Sequence, residues 1–177
     1  YETGSQFHSH KYFSILSDDG NQLISAKENN AYPGIKMHRT LLMIEDKRLD
    51  NPLVLDIFKV DSQNKNQYDL PYHYFGQIMS TSFPLESQST LLPLGENNGY
   101  QHLWLRSKGK NGKSINQMSW FSSGTFRTLT MLNSPEDEFL FTELGANDAE
   151  FNLRTDPSFI IRRKNTAATL FVNAVEI

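Results

Sequence analysis

Asp56 is the residue whose position demands the most chemistry. It lies in the run Leu53-Val54-Leu55-Asp56-Ile57-Phe58-Lys59-Val60, where period-two alternation sets it on the face of Val54, Phe58 and Val60, toward an interior. A lone carboxylate among apolar side chains needs a cation, several hydrogen-bond donors or a proton. Two histidines, His38 and His73, lie in or beside the runs that flank Asp56. If 36–45 and 53–61 form a hairpin across the 46–52 turn, a register of the right parity brings His38 and Asp56 to one face. Two imidazoles and one carboxylate suit zinc, with water or a fourth group completing the tetrahedron, whereas calcium would want more oxygen ligands. Two simpler arrangements satisfy the same carboxylate: a His38–Asp56 hydrogen bond, or Arg39 as the cation.

Gln67-Tyr68-Asp69-Leu70-Pro71-Tyr72-His73-Tyr74-Phe75-Gly76-Gln77 gathers three tyrosines, a histidine and a proline corner. It reads either as a binding loop, with Tyr68, Tyr72 and Tyr74 stacking on sugars or moving protons, or as a β-corner that buries the rings and bonds their hydroxyls. In Tyr100-Gln101-His102-Leu103-Trp104, one of the two alternating faces must be core, and residue type favours Trp104 as core rather than platform and His102 as a structural histidine rather than a ligand. His8 and His10 form a terminal pair able to bind metal adventitiously. Residues 144–157 form a long polar connection in which Arg154 can clamp Asp148 or Asp156.

These groups must be positioned by strands. β-Branched and aromatic runs recur over 12–16, 22–26, 36–45, 53–61, 75–83, 100–107, 115–121, 125–132, 138–144, 158–163 and 169–176, separated by turn sequences such as Asp18-Asp19-Gly20-Asn21 and Ser122-Ser123-Gly124. No window carries a capped helical periodicity over three turns. The expected fold is all-β, a two-sheet antiparallel sandwich of about eleven or more strands. No composition shift, repeat or low-complexity linker divides 1–177, which reads as one domain.

Composition narrows the function. The net charge is -3 with 17 scattered basic residues, so no basic stripe suits a nucleic acid. Cysteine is absent, which removes disulfides, thiolate metal sites and thiol nucleophiles. No apolar run is long enough for a membrane helix. The start at Tyr1, with neither initiator Met nor signal-peptide pattern, suggests a processed or excised segment. Gly-rich phosphate loops, a G-x-S-x-G elbow and an H-E-x-x-H helix are all missing from the sequence.

From about Tyr32 onward the chain resembles the C-terminal β-sandwich of the heparinase II/III-like polysaccharide lyases, and within them the oligoalginate lyases. The resemblance rests on Tyr32-Pro-Gly-Ile-Lys-Met-His-Arg-Thr40, Leu53-Val-Leu-Asp-Ile-Phe58, 67–77, Gly99-Tyr-Gln-His-Leu-Trp104, Leu144-Gly-Ala-Asn-Asp148 and Phe151-Asn-Leu-Arg154, in that order. It implies that a helical (α/α) toroid, absent from this chain, carries most of the chemistry. There the C5 proton of a uronate is abstracted and the 4-linked sugar expelled, while the sandwich packs over the cleft. It also implies a structural zinc, mapped onto His38, Asp56 and His73. Some relatives have an active-site histidine two residues before the first metal histidine, where this chain has Lys36.

The sequence therefore leads to a sandwich domain of a uronate-cleaving lyase, acting on an acidic polysaccharide or oligosaccharide, alginate or else a heparin-type glycosaminoglycan. The parent enzyme is expected to be periplasmic or secreted by a bacterium, and the isolated domain inactive, with Lys36, Tyr68, Tyr72 and Tyr74 as cleft candidates. A free-standing carbohydrate-binding module is the rival reading, and a ligand-free structural sandwich a weaker one. A lyase domain parted from its toroid should expose a contiguous apolar patch, and a free module only a narrow aromatic groove.

Overall fold

The computed structural model describes residues 6–145 and 155–176. Most of the 144–157 connection, including Asp148 and Arg154, lies outside the described residues. In chain order the strands are β1 (His10–Leu16), β2 (Gln22–Glu28), β3 (Ile35–Ile44), β4 (Leu53–Ser62), β5 (Asn66–His73), β6 (Gln77–Thr81) and β7 (Leu85–Pro93). They continue as β8 (Leu103–Lys110), β9 (Ile115–Ser122), β10 (Thr125–Leu132), β11 (Glu138–Leu144), β12 (Asp156–Thr166) and β13 (Thr169–Glu176). Eight form one sheet in the order β1-β2-β3-β4-β13-β10-β9-β6, and five form a second in the order β5-β12-β11-β8-β7. All pairings are antiparallel, so the fold is the expected all-β sandwich.

Local sequence explains the hairpins. Ser123 and Gly124 both adopt positive φ, 52° and 84°, closing Ser122 onto Thr125 in the twist-matched two-residue turn. Asp19 accepts the Asn21 backbone N–H at 3.1 Å, which stabilises the β1–β2 turn.

The core lies between the sheets. From the larger come Phe171, Met118, Trp120, Leu129 and Met131, and from the smaller Leu70, Phe139, Phe141, Phe159 and Ile161. Phe139, Phe159 and Phe171 are at most 1% exposed, each contributing roughly 1.5–3 kcal/mol by burial. A buried ion pair beside the β11–β12 pairing borders this layer: Arg163 donates to Asp137 at 2.7 and 2.6 Å while its guanidinium carbon lies 4.5 Å from the Phe171 ring centroid on the larger sheet.

Two strands went unseen in the sequence. Residues 66–73, read as a binding loop or corner, form β5, an edge strand of the smaller sheet. Pro71 is tolerated opposite Ile160 because an edge strand has one side without a ladder partner. Strand β7 was missed because Glu86-Ser87-Gln88-Ser89-Thr90 has no apolar alternation, and its pairing with β8 shifts register between Ser87 and Leu92. The expected start of a strand at Tyr100 is instead a 3-10 turn, Tyr100–His102. Trp104 is buried, as expected, and so is Leu105 on the opposite face.

The larger sheet extends beyond the smaller one. On β4 the inward face is closed, with Asp56 and Val60 both 2% exposed. On β1 to β3 the same face, fixed by the pairings Ser14↔Ile24, Ile24↔Leu41 and Leu41↔Asp56, leaves Ile24 50% and Leu41 36% exposed. Leu16, across from Gln22 on that face, is 80% exposed.

Candidate functional site

Asp56 points inward as the alternation required, and its partner is Arg39. The guanidinium donates through Nε to Oδ1 at 2.8 Å and through Nη2 to Oδ2 at 2.7 Å, a bidentate geometry that satisfies both oxygens. Tyr72 reaches across from β5 and donates its hydroxyl to Oδ2 at 2.6 Å. Asn173, opposite Asp56 on β13, donates its amide to the Tyr72 oxygen at 2.9 Å. The carboxylate thus holds a β3 side chain and a β5 side chain together between the two sheets.

This corrects the proposed ligand set. His38 pairs with Lys59 while Asp56 pairs with Leu41, so His38 and Asp56 project from opposite faces of the larger sheet. His73 sits in the smaller sheet opposite Ser158, one residue from inward-facing Tyr72 and therefore turned to the outside. Among the described residues no three His, Asp or Glu side chains gather to hold a metal ion. His38, Asp56 and His73 do not fit a zinc site, and Arg39 supplies the charge a metal would have brought.

Tyr68, Tyr72 and Tyr74 each make contacts within the sandwich. Tyr68 donates to the Ala167 carbonyl at 2.8 Å. Burial and the Asp56 charge push the Tyr72 phenol far above its ordinary range, so at neutral pH it stays protonated and donates to Asp56. Tyr74 packs on Trp120, centroids 6.1 Å apart, and burial raises its phenol too. The tyrosine-rich segment also contains Asp69, which takes the Tyr100 hydroxyl at 2.6 Å and both donors of Arg162 at 2.8 and 2.7 Å.

Lys36 lies elsewhere, in a shallow cavity of about 270 Å³ on the outer face of β2, β3 and β4, with Lys27, Asn29, His38, Lys59 and Asp61. The pairings Lys27↔His38, His38↔Lys59 and Lys36↔Asp61 bring these side chains to one face. Lys59 is bonded to Asp61 at 2.8 Å. The Lys27 ammonium stands 3.2 Å from the Tyr12 ring centroid, and the same ring meets His38 edge-on with centroids 5.6 Å apart. His38 Nε2 and Ser25 Oγ are 2.7 Å apart. Burial, then the charges of Lys27 and Lys59, lower the imidazole pKa below its usual 6.5, so at neutral pH it serves as a hydrogen-bonding group. Sequence reading found Lys36 and His38 but not Lys27, Lys59 or Tyr12. The signal was available in the Lys36/His38 and Lys59/Asp61 alternations, but only the strand register joins them.

Comparison with known proteins agrees with the fold and the motifs. The chain is 37% identical over 161 residues to an alginate lyase of Stenotrophomonas maltophilia (strain K279a), covering 90% of this chain and 22% of that protein. It is 34% identical over 178 residues to an exo-oligoalginate lyase of Saccharophagus degradans (strain 2-40), covering 98% of this chain and 24% of that protein. The chain thus spans about a quarter or less of the length of these relatives. The crystal structure of a heparan sulfate lyase from Pedobacter heparinus shares the fold, with a TM-score of 0.50 and 13% identity over 96% of this chain and 21% of that one. The family model for the heparinase II/III-like C-terminal domain matches residues 1–170. With that match over nearly the whole sequence, the chain belongs to the heparinase II/III-like C-terminal family.

Proposed function

We propose that this chain is the sandwich domain of a bacterial polysaccharide lyase that cleaves polyuronates, with alginate-derived oligosaccharides as the substrate class. A helical toroid beyond this chain supplies the proton abstraction, and the sandwich packs against it over the cleft. The similarity to two alginate lyases supports the substrate class. The extracellular origin of the parent polymer supports a periplasmic or secreted location.

The observation that carries this reading over a free-standing binding module is the uncovered inner face of β1 to β3. Leu16, Ile24 and Leu41 are exposed apolar side chains on this face, beyond the Arg39–Asp56 pair that ends the core. Large apolar side chains exposed together on one sheet face favour a docking surface, where a free module would present an aromatic groove. Tyr68 and Tyr72 spend their hydroxyls on the Ala167 carbonyl and the Asp56 carboxylate, in keeping with a base supplied by another domain.

The test is turnover. The chain alone should produce no unsaturated uronate on oligoalginate, read by ultraviolet absorbance, while the chain joined to a family helical domain should do so. Aspartate at Leu16 or Ile24 should impair the joined protein. Turnover by the chain alone, or a joined protein inert on every polyuronate, would refute the proposal.

A further inference from the structure

The outer-face cavity has a charge imbalance that the fold does not use. Three lysines line it against one carboxylate, and Lys59 occupies that carboxylate, Asp61, at 2.8 Å. Neither Lys27 nor Lys36 has a carboxylate partner among the described residues. Three lysines less one aspartate leaves an excess of two positive charges in a recess of about 270 Å³.

The arrangement is also built. Tyr12 holds the Lys27 ammonium against its ring at 3.2 Å, which fixes the position of the cation without neutralising it. The same ring buttresses His38, whose other support is Ser25, itself fully buried and bonded to Thr40 at 2.9 Å. The rim adds the Asn29 amide, a donor and acceptor suited to hydroxyl groups. Lysines act as point charges, unlike the planar fork of arginine, so they suit separate carboxylates along a flexible chain.

We propose that this cavity is a subsite for an acidic sugar, in which Lys27 and Lys36 bind uronate carboxylates while His38 and Asn29 meet neighbouring hydroxyls. The ligand class rests on the polyuronate reading above. The site itself rests on the side chains of β2, β3 and β4.

The experiment is calorimetric titration of the 177-residue chain with an alginate trisaccharide, a neutral mannotriose and a sulfated heparin-derived oligosaccharide. The alginate trisaccharide should bind, more weakly as salt rises, and mannotriose should not. Lys27→Gln and Lys36→Gln should each weaken binding about tenfold, as loss of a charge-assisted contact does. Lys108→Gln, on the other sheet, should leave it unchanged. The His38 imidazole resonances should shift on binding and titrate at higher pH, because added negative charge favours the imidazolium. Undiminished binding by the two β2 and β3 variants would place any sugar site elsewhere and overturn the subsite while leaving the lyase reading intact. Preference for the sulfated ligand would overturn the carboxylate class. If no acidic sugar binds, the subsite is wrong, and the lyase reading stands or falls separately on turnover by the joined protein.

Discussion

Arg39 and Asp56 face each other diagonally across the β3–β4 pair, with donor–acceptor distances of 2.8 and 2.7 Å, the carboxylate buried and the arginine side chain 43% exposed. The core therefore ends here: on one side of the pair Phe58 and Phe171 stack 6.4 Å apart, and on the other the sheet continues uncovered. The pair closes the edge of the core with a group that tolerates water on one side only.

Arg39→Met should lower stability by about 2–3 kcal/mol, because it leaves a buried carboxylate with the Tyr72 hydroxyl alone. The partial exposure of Arg39 keeps the loss below that of a fully enclosed pair. Adding Asp56→Leu should recover at least half of it. Urea melts of the singles and the double provide the check, and strictly additive effects would show that the two residues are not coupled.

Asp56→Asn should leave the metal content of the purified chain unchanged, since a guanidinium already fills the place of a cation. Elemental analysis of both proteins decides it. A zinc stoichiometry near one that disappears in the variant would show that this carboxylate binds metal after all.

Asp137→Asn should be more damaging, about 3–5 kcal/mol, as it strands the Arg163 charge in the interior. Asp137 has 0% side-chain exposure and Arg163 10%. Thermal unfolding should move down by many degrees. A shift no larger than that of a surface substitution would mean that water reaches this pair.

His38 should titrate below 6.5, and Lys27→Gln with Lys59→Gln should raise its midpoint, because both lysines disfavour the imidazolium. The unfolded chain binds this proton more readily than the folded one. Stability should therefore fall as pH drops through 6.5 and level off below the folded midpoint. Proton NMR of the imidazole together with melts from pH 5 to 8 measures both, and a midpoint above 6.5 would contradict the geometry.

At the alkaline end Tyr72 and Tyr100 resist ionisation, burial being the first cause in both and the adjacent Asp56 or Asp69 adding to it. Their stabilising contribution is complete below the unfolded phenol value of 10.0 and is lost as pH climbs past it toward the folded values. Ultraviolet titration should show these two phenols ionising only as the chain unfolds. Reversible ionisation of all seven tyrosines in the native state would disprove it.

Much of the architecture was legible because strands write a short-range pattern. Leu53 to Val60 alternates plainly, and Asp56 could be assigned inward from that alternation alone. Strands β5 and β7 escaped because their signals conflict with their state: a proline corner in one, a run of small polar residues in the other. Both lie at edges of the smaller sheet, where half of the ladder and much of the burial that shape a strand sequence are missing.

By itself the sequence determined that the chain is a layered β protein, that Asp56 is buried and owed a positive partner, and that its motifs resemble those of uronate-directed lyases. Only the tertiary structure decided which partner answers. His38 and Arg39 are neighbours in sequence, but successive residues on a strand point to opposite faces, and the pairing of Leu41 with Asp56 gives the inward place to Arg39. The same parity sends His38 outward to Lys27 and Lys59. Register depends on contacts summed along the whole hairpin, so no single residue in the sequence carries it.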